Sequence, residues 1–231
     1  MPELPEVETT LRGIAPALTG RTITDVVVRN PALRWPIPAD VSRARGSVIA
    51  GCRRRAKYLV IELDGAGPPR GGLLMHLGMS GSLRICDGTD APRKHDHYDL
   101  VLDSGSCLRF NDPRRFGALL WWDHPAENHE LLRGLGPEPL SDGFTGAELW
   151  HRSRGRKAAV KNFIMDGRIV VGVGNIYASE ALFMAGIHPS RPAGRIARVR
   201  YEALALAIRD VLTRAIRHGG PTMRDYLNSD S

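Results

Sequence analysis

Residues 2–8 read Pro-Glu-Leu-Pro-Glu-Val-Glu, and once the initiator methionine is removed Pro2 is a secondary amine at the chain end with Glu3 and Glu6 close beside it. That arrangement points to imine chemistry. An α-amino group has a reference pKa of about 7.7 to 8.0, so a useful fraction is an unprotonated nucleophile at neutral pH. Such an amine attacks the carbon of an aldehyde or masked aldehyde and forms a Schiff base, which splits one hard step into two easier ones. Pro2 is small enough to permit removal of Met1, and an uncleaved Met1 blocks the mechanism. The plainer reading is a helix start, because Pro pre-sets helical φ and acidic residues suit the positive end of the helix dipole. Leu4, Val7, Leu11, Ile14 and Leu18 recur at spacings of three and four and mark one buried stripe of a helix. Glu3, Glu6 and Thr10 lie on a different face, where one carboxylate can act as a general acid or base. The two readings are compatible.

The rest of the chain has to position this amine and bring it a substrate. Its 231 residues suffice for one large domain or two modest ones, and 42 % hydrophobic content can build true cores. No run approaches the roughly 18 apolar residues of a membrane helix, and the acidic N-terminus does not resemble a signal peptide, so a cytoplasmic enzyme with no membrane partner is expected. Cys52, Cys86 and Cys107 are odd in number, far apart in sequence and without a C-x-x-C pair, which predicts buried or spectator thiols. A formal charge of +7 points to a polyanionic partner, since Lys and Arg gain free energy by displacing counterions condensed on nucleic acid. Two basic clusters suit one groove: Arg53, Arg54, Arg55 and Lys57, and Arg152, Arg154, Arg156, Lys157 and Lys161.

Stretches 22–28, 58–63, 73–77, 83–86, 98–102 and 118–122 are short, rich in β-branched, aromatic or aliphatic residues, and punctuated by Gly, Pro, Asp and Ser. They predict an antiparallel sandwich over residues 1–132 rather than βαβ units. Gly134, Gly136, Pro137, Pro139 and Gly143 predict a linker over 133–145, and mainly helical spacing follows over 146–231. There, 158–165 reads as a short helix and Asp166-Gly167 as a turn. Gly172-Val173-Gly174 reads as a tight approach before a helix that starts near Asn175 and stops at Gly186 and Pro189. Tyr201, Leu204, Ile208, Val211 and Ala215 give a last amphipathic helix ending at Gly219-Gly220. Asn175 is either a plain N-cap or a partner of backbone N–H groups in holding a phosphate.

Five segments, in one order, resemble the formamidopyrimidine-DNA glycosylase family along nearly the whole chain. They are Pro2–Glu6, Arg54–Tyr58, His76–Gly81, Asp112–Gly117 and Gly172–Glu180. Leu4-Pro5 resembles the purine-lesion branch rather than the pyrimidine branch. The resemblance implies an α+β protein of two domains, an antiparallel β-sandwich with an N-terminal helix and a helical domain with a helix-two-turn-helix, holding damaged double-stranded DNA between them. It implies a bifunctional glycosylase and abasic-site lyase of base excision repair that removes 8-oxoguanine and formamidopyrimidines and cuts the strand by β,δ-elimination. Pro2 takes the place of the family's nucleophile, Glu3 of its proton-transfer residue and Lys57 of its essential lysine near the lesion phosphates. A target base must leave the stack to be reached. Met79, Arg114 and Phe116 match the wedge that fills the hole, which sets them against ordinary core packing. His76, Lys157 and Asn175 take DNA-binding places, and Glu6, Glu180, Arg224 and Tyr226 lie at the lesion.

The family ends in a four-cysteine zinc finger. This chain stops at Ser231 before that element, and none of its cysteines has the necessary spacing, so no zinc and no other cofactor is expected. Gly219 to Tyr226 resembles the start of the loop that caps the flipped base. The alternatives are an abasic-site lyase with weak base excision, a pyrimidine-lesion glycosylase, and a non-catalytic DNA-binding fragment. A monomer is the family expectation.

Overall fold

The computed structural model describes residues 2–65 and 71–219. Arg224 and Tyr226, expected at the lesion, lie outside the described residues. The described residues divide into two compact units, Pro2 with those of Val7–Arg133, and Glu3–Glu6 with 134–219.

The first unit holds eight strands in two four-stranded antiparallel sheets. One has the order β1-β6-β7-β5, with β1 Ile23–Val28, β5 Ser82–Asp87, β6 Asp96–Leu102 and β7 Ser106–Asn111. The other has the order β2-β3-β4-β8, with β2 Val48–Arg55, β3 Tyr58–Asp64, β4 Gly71–His76 and β8 Ala118–Asp123. Alternate residues of both sheets share one core, Ile61, Leu73, Met75 and Leu119 with Leu83, Leu100, Leu108 and Phe110. Helix α1, Leu4–Leu18, adds Val7, Ile14 and Leu18 from its apolar stripe.

Two of these strands are not expected from the sequence. β2 ends in Arg53-Arg54-Arg55, which reads as a basic cluster, yet Arg53 bonds Glu62 and Glu127, and Arg54 bonds Glu8 with 10 % of its side chain exposed. These two arginines are therefore ion-paired struts of the fold, which corrects the expectation of a basic groove lining. β7 contains Arg109, buried in a bidentate pair with Asp99 at 2.9 Å through both nitrogens. A charge survives there because the opposite charge of Asp99 and the hydrogen bonds to it and to the Asp90 carbonyl offset the lost hydration. The three cysteines are free thiols, and Cys86 on β5 and Cys107 on β7, far apart in sequence, are cross-strand partners with sulfurs 3.2 Å apart.

The second unit is helical, with α2 Gly146–Ser153, α3 Val160–Met165, α4 Asn175–Met184 and α5 Arg198–Arg217. Its core gathers Leu149, Phe163, Ala178, Leu182, Tyr201, Leu204, Ile208 and Leu212, with Leu4 from the first turn of α1. Phe144 falls within the linker expected over 133–145 but is 2 % exposed in this core, so the stretch before α2 is packed structure. α2 starts at a Thr145 cap whose hydroxyl accepts the Glu148 N–H. A side chain at Gly146 would strike the α5 backbone 2.4 Å from the Glu202 Cα, so glycine is what lets these helices approach.

Candidate active site and wedge groove

The first turn of α1 is held by carboxylates. Glu3 is its N-cap residue and Glu6 lies three residues on. The Glu6 carboxylate reaches back to accept the Glu3 N–H at 2.7 Å, the reciprocal bond of a capping box. Its other oxygen accepts the Tyr177 hydroxyl at 2.6 Å. Burial and the adjoining Glu6, Glu3 and Glu180 push the Tyr177 phenol well above its ordinary range, so it stays a donor. The Glu3 side chain, by contrast, does not cap its own helix. Its two oxygens accept the N–H of Gly174 at 2.6 Å and of Ile176 at 2.9 Å, so it sits on the N-terminus of α4. The Leu4 N–H donates to the Gly172 carbonyl at 3.0 Å and completes the clamp.

The Gly172-Val173-Gly174 sequence is required by this approach. Gly172 has φ +79, and a β-carbon there would lie 2.6 Å from the Leu4 side chain. At Gly174 it would lie 2.4 Å from the Glu3 carboxyl carbon. Glu3 and Glu6 are 1 % and 6 % exposed, with every carboxylate oxygen bonded, and Pro2 directly before them is half-buried. Asn175 is the exposed first residue of α4, whose N-cap is Gly174, so the plain N-cap reading is overturned. Two amides that a phosphate would use at this helix end, those of Gly174 and Ile176, already serve Glu3. Glu180 lies exposed on α4, and Lys157 lies exposed between α2 and α3.

In the first unit the structure brings together four of the expected residues. β4 ends at His76, and the loop to β5 carries Met79; β7 ends at Asn111, and the loop to β8 carries Arg114 and Phe116. Buried Asp112 ties the two loops. Its carboxylate accepts the Ser80 hydroxyl at 2.6 Å and the N–H groups of Gly117 at 2.8 Å and Arg114 at 3.2 Å, while its carbonyl bonds the His97 ring at 2.7 Å. Gly78, at φ +66, sits so close that a β-carbon would lie 2.4 Å from the Phe116 backbone. The loop tips point outward, with Met79 39 % and Phe116 43 % exposed, which excludes core packing for both. The Arg114 guanidinium lies 5.0 Å from the Phe116 ring centroid. With Arg34 and His76 these side chains line a groove of about 690 Å³.

His76 is held as one tautomer. Its Nδ1 accepts the Gly78 N–H at 2.9 Å, so the ring proton is on Nε2. Burial, with Arg34 and Lys57 nearby, pushes its pKa down to about 4, so it is an uncharged donor at neutral pH. Lys57 occupies the two-residue turn between β2 and β3, where Ala56 has φ +55. A non-glycine residue held in that region stores strain of about 1–3 kcal/mol and fixes the lysine's departure from the sheet. Arg34 and Tyr177 are not expected from the sequence. Arg34 reaches the groove from a segment far from the loops and carries no local signal, whereas Tyr177 lies inside the Gly172–Glu180 segment and is betrayed only by its neighbours there. Among the described residues no group of three or more His, Cys, Asp or Glu is placed to hold a metal ion. The three cysteines do not fit a zinc finger, since Cys86 and Cys107 face each other and Cys52 lies on β2.

A two-sheet antiparallel sandwich followed by a helical unit defines a protein of the β-sandwich and helix-two-turn-helix class. Residues 1–119 match the formamidopyrimidine-DNA glycosylase N-terminal domain, and residues 135–226 match the H2TH domain of the same glycosylase. The chain belongs to the formamidopyrimidine-DNA glycosylase family. Among its relatives, formamidopyrimidine-DNA glycosylase of Alcanivorax borkumensis is 60 % identical over 232 residues, covering 100 % of this chain and 83 % of that protein. The Methylococcus capsulatus enzyme is 57 % identical over 229 residues, covering 99 % and 83 %. The crystal structure of the MutM (Fpg) protein from Thermus thermophilus superposes with a TM-score of 0.84 at 39 % identity, covering 97 % of this chain and 79 % of that one. The Lactococcus lactis Fpg in complex with a Fapy-dG containing DNA gives 0.86 at 29 % identity, covering 96 % and 83 %.

Proposed function

We propose that this chain is a bifunctional DNA glycosylase and abasic-site lyase that removes oxidised purines, 8-oxoguanine and formamidopyrimidines, from double-stranded DNA. With Met1 removed, the Pro2 nitrogen attacks the sugar C1′. The C1′–N bond breaks, and the damaged base leaves with the electron pair and a proton. The sugar ring opens to an iminium between Pro2 and C1′, with Glu3 moving protons at the sugar. That iminium acidifies the C2′ proton. Its removal expels the 3′ phosphate by β-elimination, and a second elimination expels the 5′ phosphate, so the protein's own amine carries the chemistry. The observation behind this reading is the Glu3 carboxylate, held by two backbone amides in the residue directly after the nucleophile.

Extruding the target base requires a few kcal/mol of lost stacking and pairing. Met79 and Phe116 fill the vacated space, and the Arg114 guanidinium meets the orphaned partner base. Lys57, His76, Lys157 and Asn175 contact phosphates, which position the duplex without reading its sequence. Glu6 and Glu180 line the lesion side. Neutral His76 gives one Nε2 hydrogen bond, while the lysines supply the charge.

Borohydride trapping on 8-oxoguanine and abasic duplexes, with Pro2→Gly alongside and a mass check that Met1 is gone, tests the proposal. Covalent adducts on both duplexes, weakened by the substitution, are expected. Adducts on the abasic duplex alone reduce the activity to a lyase, and no adduct from a correctly processed chain overturns the reading.

A further inference from the structure

Cys86 and Cys107 stand outside everything the proposed chemistry uses, yet they are placed for a reaction of their own. They are 21 residues apart in sequence and directly opposite in the β5–β7 register, with sulfurs 3.2 Å apart. Directly opposed residues of an antiparallel pair have Cα atoms about 4.5 or 5.5 Å apart, and both spacings fall inside the window a disulfide accepts. Bond formation then needs the sulfurs to close by about 1 Å, to a length near 2.05 Å, which side-chain rotation can supply. The two thiols are also unequal. Cys107 is fully buried on a central strand, whereas Cys86 is partly exposed on β5, an edge strand of its sheet. Burial, with Cys86 and Asp99 alongside, pushes the Cys107 thiol well above its ordinary range, so Cys107 is a poor first nucleophile.

We propose that Cys86 and Cys107 form an oxidation site for a hydroperoxide, which converts the pair to a disulfide and staples the edge strand β5 to β7. The Cys86 thiolate attacks the O–O bond of hydrogen peroxide; that bond breaks, Cys86 becomes a sulfenic acid, and the departing hydroxide takes a proton to leave as water. The Cys107 sulfur then attacks the Cys86 sulfur, the S–O bond breaks, and the oxygen leaves as a second water carrying the Cys107 proton. Two thiols and one peroxide give one disulfide and two waters, with two electrons passing from sulfur to oxygen. The location gives the bond a consequence. β5 begins just after the Met79 loop and β7 runs into the Arg114–Phe116 loop, so a disulfide near their far ends locks the register of the two strands that carry the wedge.

The test treats the full chain with hydrogen peroxide and follows its intact mass, with Cys86→Ser, Cys107→Ala and Cys52→Ser alongside. Loss of two hydrogen masses is expected in the parent and in Cys52→Ser, reversed by dithiothreitol, with one peptide linkage joining Cys86 to Cys107 and a raised Tm in the oxidised form. Neither Cys86→Ser nor Cys107→Ala is expected to lose this mass. In Cys107→Ala a dimedone probe should capture a sulfenic acid at Cys86, which shows the order of attack in a protein that has kept its reactive thiol. The proposal is overturned if the parent gains oxygen masses only, remains alkylatable at all three thiols, or links one molecule to another.

Discussion

The N-terminal turn and the groove lined by Met79, Arg114 and Phe116 both use a buried carboxylate as a backbone clamp, but they divide labour differently. In the groove, Asp112 binds two N–H groups and a hydroxyl, and the side chains that face outward, Met79, Arg114 and Phe116, belong to other residues. Clamp and tip are separate. In the N-terminal turn, Glu3 is fixed by Gly174 and Ile176 and is also the group proposed to move protons. Clamp and proposed reagent are one. A perturbation of the turn should therefore fall on rate, and a perturbation of a groove tip on binding.

The sharpest way to break this contrast is Gly174→Ala. Backbone at φ −115 tolerates alanine, so the whole effect comes from a methyl placed 2.4 Å from the Glu3 carboxyl carbon. Displacing a reacting group by about 1 Å can lower a rate on the order of 100-fold. We expect such a loss in single-turnover base excision with duplex affinity nearly unchanged; an unaltered rate would separate Glu3 from the chemistry. Tyr177→Phe comes next. It leaves the 6 % exposed Glu6 carboxylate short of its 2.6 Å donor, a loss of about 1–3 kcal/mol in stability. Denaturant unfolding should show it, and unchanged stability would mean that water replaces the hydroxyl. Phe116→Ala should act in the opposite place. Losing base–aromatic contact removes about 1–3 kcal/mol from DNA affinity, while an exposed ring contributes little to the fold. A binding titration beside a melting curve reads both, and a destabilised fold with intact affinity would reverse the assignment.

How much of this was legible in the sequence follows from where each signal is stored. The α1 stripe is written in local periodicity, the strands over 58–64 and 96–102 in short apolar runs between turn residues, and the helix from Asn175 in the glycines and proline that bound it. β2 and β7 are not, because their arginines look solvated until Glu62, Glu127, Glu8 and Asp99 arrive from elsewhere in the chain to pair with them. α2 carried a readable Thr145-x-x-Glu148 cap, but the glycines around it read as linker. Glu3 and Glu6 were legible as acidic residues beside an amine. That Glu3 caps a helix more than 170 residues away, and that Cys86 meets Cys107, are facts of tertiary pairing with no local trace.

The smallest predicted effect probes the groove's own interior. His76 packs against Tyr58, with ring centroids 4.9 Å apart, and faces the charges of Arg34 and Lys57, which together with burial hold its folded pKa at about 4 against 6.5 when unfolded. A basic group with a lowered folded pKa binds fewer protons folded than unfolded between those values. Its stability contribution is therefore level above about pH 6.5 and declines as pH falls from 6.5 toward 4. One pH unit below 6.5 the loss is about 1 kcal/mol. His76→Gln cannot take up the proton, so its unfolding midpoint should fall less steeply over this range than the parent's. Equal slopes in the two proteins would mean that the ring titrates in the fold as it does unfolded, and below about pH 6.5 His76 would then offer phosphate a charge rather than one neutral hydrogen bond.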